Sequence, residues 1–244
     1  MQAAAPDSVT KALPGAVHHI GATRQAAGQP IADPGLLQAL YLRRDYRPAW
    51  EEPGRLAALL ERIRDSARHG LDPRDYHLAA LEALAEDPGE LSRRVALELL
   101  ATDAAARLAG HLSFGKVDPQ KFHPSWNFEH RLDDVQRLAW LAELLDAADL
   151  RRALAALAPD SDYYRALQAH LADYRELAAR GGWPQVPAGA SLHPGDISPR
   201  VPLLRARLAA GGDLAAVSLP AEPMLFDAEL EAAVRRFQRR HELE

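Results

Sequence analysis

The stretch ELSRRVALELLATDAAARLAGH, Glu90 to His111, decides the fold. Leu91, Val95, Leu99 and Ala106 make one apolar line at helical spacing, and Leu97, Leu100, Ala104 and Leu108 make a second. A helix that is apolar on most of its sides must be surrounded, so this segment belongs at the centre of a helical bundle. Glu98 and Asp103 on it then lie either at the bundle's edge or paired inside it, because an unpaired buried carboxylate is expensive.

Working outward, the same helical period recurs. Leu56, Leu59, Leu60 and Ile63 form an apolar stripe between Gly54 and His69, and Gly70 supplies the stop. Asp72 can cap the next turn with Pro73 at its first position, where a missing N–H costs nothing. A short helix is expected around Leu78 to Ala85, and further helices fit Asp134 to Asp146 and Ser161 to Arg180. Asp160 or Ser161 caps the last of these, which carries Tyr164, Leu167, Leu171, Tyr174 and Ala178 on one face and ends at Gly181-Gly182. Residues 1–30, rich in Ala, Gln, Gly and Pro, show no sustained apolar period and are expected to be a flexible segment that docks weakly unless it lies along the bundle surface.

Strand signals are poor, since β-branched residues are scarce and no Asn-Gly or Asp-Gly turn occurs. The fold class is therefore mainly α, with a helical bundle over residues 31–182. Prolines and glycines then replace the Ala/Leu periodicity, and residues 183–199 read as a linker that no helix crosses. Residues 200–244 read as a small second domain. Val201, Leu204 and Leu208 mark one short helix, and Asp227 caps another running through Leu230, Val234, Phe237 and His241.

With 244 residues and 48% hydrophobic content, the chain can build a real core. A net charge of −5 argues against a general nucleic-acid binder, which needs clustered Lys and Arg in excess of acids. No window reaches the roughly 18 apolar residues that a membrane-spanning helix requires. Cysteine is absent, which removes disulfides, thiolate metal sites and any cysteine nucleophile. No His-Glu-x-x-His helix, Gly-rich phosphate loop or Gly-x-Ser-x-Gly elbow occurs, so neither a metal nor a cofactor is expected; His18-His19 offers at most undirected metal contact. Asp72 to His77 places acid, base and aromatic groups within one turn, but capping chemistry explains each of them. The opening MQAAAPDSV reads like the mature end left by a small-residue cleavage site, which predicts a secretory protein rather than one with an ordinary cytoplasmic N-terminus.

Four blocks in order carry a resemblance: LYLRRDYRPAWEE (Leu40 to Glu52), RHGLDPRDYH (Arg68 to His77), ELLATDAAARLAGHLSFGKVDP (Glu98 to Pro119) and DYYRALQAHLADYRELAARGGWP (Asp162 to Pro184). Together they resemble the scaffold domain of large periplasmic L,D-transpeptidases. LHPGDISPRVPLLRARLAAGGDL (Leu192 to Leu214) and FDAELEAAVRRFQRRHELE (Phe226 to Glu244) resemble the front part of the three-helix peptidoglycan-binding module of those enzymes. Glu242 stands where that module has a glycine, and its third helix has no counterpart, so a partial module with weak wall binding is implied. The resemblance implies a noncatalytic role in cell-wall cross-linking, with peptidoglycan and the parent protein's catalytic domain as partners. That domain's Ser-x-Gly-Cys nucleophile motif is not in this chain, which is expected to be inactive alone.

Candidate wall-binding residues follow from charge and aromatic chemistry. Arg200, Arg205, Arg207 and Arg236, with Arg235, Arg239 and Arg240, make a basic C-terminal region able to hold stem-peptide carboxylates. Trp50, Trp126 and Asn127 could instead form a glycan platform, although Phe114, Phe122, Trp126 and Phe128 read more simply as the plug at the end of the bundle. Two alternatives remain: a lytic transglycosylase-like hydrolase, which would need an exposed Glu98 or Glu129 in a groove, and a helical protein-protein adaptor.

Overall fold

The computed structural model describes residues 8–123, 125, 132–215 and 221–243. Among them are ten α-helices and one two-stranded hairpin of two residues per strand, so the fold is mainly α. The helices are α1 (Ser8–Thr23), α2 (Pro34–Arg43), α3 (Arg55–Asp65), α4 (Leu78–Glu86), α5 (Leu91–Phe114), α6 (Asp134–Asp146), α7 (Leu150–Ala155), α8 (Asp162–Ala179), α9 (Val201–Ala210) and α10 (Ala228–Arg240). Two compact units result, one through Gln168 and one from Ala169 onward.

In the first unit α5 is the centre, as its apolar lines require. It packs against α1, α2, α3 and α4, and Leu99, Leu100, Ala104, Ala105 and Leu108 on it are all buried. Local chemistry sets many of the ends. Asp33 Oδ1 accepts from Leu36 N at 2.9 Å to start α2, with Pro34 at the first helical position. Asp133 and Gln136 close a reciprocal capping box on α6. Gly70, at φ 76°, ends the turn after α3. The Asp72–Pro73 start forms as read, but as a short 3-10 turn (Pro73–Tyr76) rather than a helix.

The N-terminal segment departs from expectation. Residues 8–23 form a full helix despite Pro14, and α1 packs on α2 and α5. Val9, Leu13, Val17 and Ile20 lie on one face and enter the main core. The expected flexible segment is thus corrected from Ser8 onward, because four large apolar side chains at i, i+4, i+8 and i+11 bury more surface than the surrounding Ala and Gly suggest. Leu13→Ala is expected to cost about 2–5 kcal/mol as a core truncation, read from the denaturation midpoint. A change within about 0.5 kcal/mol would place α1 on the surface instead.

The second unit has a core of Val201, Leu208, Leu214, Phe226, Leu230 and Ala233. An antiparallel bridge between Ile197 and Leu225 joins the segments that precede α9 and α10. Asp227 Oδ1 caps α10 by accepting from Leu230 N at 2.9 Å. The C-terminus of α8 also belongs to this unit.

Candidate binding site

The two carboxylates of α5 are both interior and both held. Glu98, 2% exposed, accepts from Ala49 N at 2.6 Å, Trp50 N at 3.2 Å and the Tyr41 hydroxyl at 2.9 Å. Burial pushes its carboxyl above the usual range, against the pull of those donors. Asp103, 1% exposed, accepts from Ala32 N and His77 Nε2, each at 2.8 Å, and pairs with Arg107 Nε at 2.7 Å. Less than two turns of α5 therefore tie the interior to three separate segments of chain. A groove acid for glycan cleavage has to meet solvent, so the expectation of an exposed Glu98 is corrected; Glu129 lies outside the described residues.

Trp50 is also corrected as a glycan platform. It is 5% exposed, and its indole Nε1 donates to Thr102 Oγ1 at 2.9 Å inside the core. Trp126, Asn127 and Phe128 lie outside the described residues. Of the expected plug, Phe114 packs against Trp140 with ring centroids 5.6 Å apart, whereas Phe122 is 70% exposed and plugs nothing. In the Asp72 to His77 turn, Asp72 pairs with Arg74, Tyr76 bonds His111 and His77 bonds Asp103, so its acid and base groups have structural partners.

Of the seven arginines singled out in the second unit, five have internal partners. Arg200 donates to the carbonyls of Pro187 at 2.9 Å and Ala190 at 2.6 Å. Arg205 is buried and ion-paired with the α10 cap Asp227, whose carboxyl lies below the usual range chiefly through the Leu230 N–H bond, with Arg205 adding to it. Arg236 Nε donates to the Asp213 carbonyl at 3.0 Å. Arg235 and Arg240 pair with Glu231 and Asp213.

Arg207 differs. Its guanidinium carbon sits 4.9 Å from the Trp183 ring centroid and 5.6 Å from that of Phe237, and among the described residues it has no carboxylate partner. It lines a cavity of about 700 Å³ within this unit, walled by the end of α8, Trp183, the α9–α10 connection and the end of α10. A family model described as a scaffold domain matches residues 35–171, more than half of the chain. The chain belongs to that family. No curated protein matches it.

The scaffold-domain match runs from the start of α2 into α8 and includes both Glu98 and Asp103. The hydrogen bonds that fix Trp50, Tyr41, Ala32 and His77 therefore lie inside or at the edge of the family's own span. Apart from His170, the residues lining the cavity beside Arg207 are C-terminal to that span. Sequence reasoning did not mark Trp183 as a site residue, although one signal was present. Gly181 and Gly182, at φ 100° and 79°, close α8 with bonds from Gly181 N to Ala178 O and from Gly182 N to Leu177 O, each 3.0 Å. That left-handed double stop turns the chain so that Trp183 meets Tyr174 edge-on, with centroids 5.8 Å apart.

Proposed function

We propose that this chain is the noncatalytic scaffold and wall-binding region of a murein L,D-transpeptidase, acting in the periplasm beside the catalytic domain of the same parent protein. The observation that carries the reading is the order of four sequence blocks, three of them wholly or largely inside the scaffold-domain match and the fourth beginning there. The interior chemistry agrees with a supporting role, because the carboxylates of Glu98 and Asp103 are buried and hold backbone and neighbouring side chains. Acyl transfer through a thioester needs a thiolate, and the chain has no cysteine, so that step falls to another domain. Wall contact falls to the second unit.

Co-sedimentation with purified sacculi tests the reading. Weak retention is expected, reduced by raising salt toward about 1 M, where the screening length drops to ~3 Å, and lost on deletion of residues 200–244. Soluble muropeptides should not be released. Their release by the chain alone would replace the scaffold reading with a hydrolase, and retention unchanged by the deletion would take the second unit out of wall binding.

A further inference from the structure

We infer that the cavity beside Arg207 in the second unit binds a short peptide ending in a free carboxylate, with the Arg207 guanidinium as the carboxylate clamp and Trp183 as its apolar wall. The inference rests on the wall-binding reading of this unit and names the moiety it would take.

The first support is the state of Arg207 itself. Packing a guanidinium over ring faces uses its π-faces and leaves its N–H edge, a ready bidentate donor for a carboxylate, unengaged. Each carboxylate lining the cavity already has a basic neighbour: Asp173 has His170 at 3.7 Å, Glu176 has Arg180 at 3.4 Å, and Asp213 has Arg240. Arg207 is thus the lining arginine without an anion among the described residues. Asp213 is ion-paired with Arg240, so that guanidinium is already engaged.

The second support is the shape and balance of the wall. A volume of about 700 Å³ falls within the range of small-ligand sites. Three arginines face three carboxylates around it, which suits a ligand carrying both a carboxylate and amine or amide N–H groups better than a polyanion such as a phosphate ester. Trp183 and Tyr174 are 41% and 50% exposed, and their T-shaped pair offers apolar area beside the clamp. Gly181 and Gly182 fix where that wall stands.

The test is a titration of the full chain with the stem tripeptide L-Ala-γ-D-Glu-meso-diaminopimelate, the same peptide with its carboxylates amidated, and the neutral sugar chitotetraose, followed by NMR of the tryptophan indoles and the backbone. The tripeptide should shift the Trp183 indole and the amides at the end of α8, while the amidated form and the sugar bind at least tenfold more weakly. Arg207→Gln should weaken the tripeptide about tenfold or more, Arg207→Lys should retain part of the affinity, and Arg64→Gln, on the first unit, should change nothing. A circular dichroism melt checks folding, and Arg207→Lys keeps the test decisive if the glutamine variant is unstable. Equal binding of the amidated peptide, full affinity in folded Arg207→Gln, absence of tripeptide binding, or shifts clustered away from Trp183 would each overturn the assignment. Sacculus retention that survives Arg207→Gln leaves the wall-binding reading standing and removes this cavity from it, so the two failures are distinguishable.

Discussion

Glu98→Ala is expected to lower the stability of the first unit by about 3–5 kcal/mol, because it strands several buried donors at ~1–3 kcal/mol each. The N–H groups of Ala49 and Trp50 lose their acceptor, and the Tyr41 hydroxyl keeps only Thr102 Oγ1 at 2.7 Å and the Glu98 carbonyl at 3.2 Å. Urea denaturation followed by circular dichroism reads the loss, and a change below about 1 kcal/mol would mean that these bonds do not form in solution. Glu98→Gln keeps an acceptor and should cost less. Its deficit also depends on pH in a defined direction. Burial raises the Glu98 carboxyl in the folded chain, so its contribution is fully present below the unfolded value, about 4.3, and is lost as pH rises through the raised folded value. Glutamine does not titrate, so the gap between variant and parent should narrow from pH 4 toward pH 8. A gap that widens would show that the Ala49, Trp50 and Tyr41 donors outweigh desolvation.

Asp103→Ala should be comparably damaging, by about 3–5 kcal/mol, since removing one member of a buried charged group leaves the others uncompensated. The side chains of His77 and Asp103 are 4% and 2% exposed, and Arg107 comes within 2.7 Å of the same carboxylate oxygen that His77 contacts. The effect should reach α4, because His77 precedes it with a left-handed backbone at φ 57° that the Asp103 contact helps to hold. Hydrogen exchange at the start of α4 should therefore accelerate more than at α6. Asp103→Asn preserves an acceptor for Ala32 N without the charge and is expected to fall between the parent and the alanine variant. Uniform acceleration over both helices would show that Asp103 supports the unit as a whole and not the His77 junction.

The sequence by itself determined the elements whose causes are local. The two apolar lines of Glu90 to His111 could be satisfied only by surrounding α5 with other helices. The capping residues Asp72 and Asp227 and the stops Gly70 and Gly182 act within a few residues of themselves. The helix α1 escaped because Pro14, Gly15 and Gly21 interrupt its composition, while the Val9, Leu13, Val17 and Ile20 stripe that decides the matter is only four residues long. α7 escaped for a similar reason, since six residues show little of a helical period.

Tertiary structure alone decided the fate of the polar side chains. Whether Glu98 lines a groove or ties down a core depends on Tyr41 and Ala49, 57 and 49 residues away, and Asp103 meets Ala32 across 71 residues. Arg205 and Arg207 share one helix two positions apart, a spacing that sends side chains to different faces. Arg205 turns into the core against Asp227, whereas Arg207 turns to the cavity and Trp183. Apolar burial leaves a periodic trace because it acts on a whole helix face. An ion pair or hydrogen bond needs one particular atom at one particular distance, and that atom comes from a part of the chain only folding brings near.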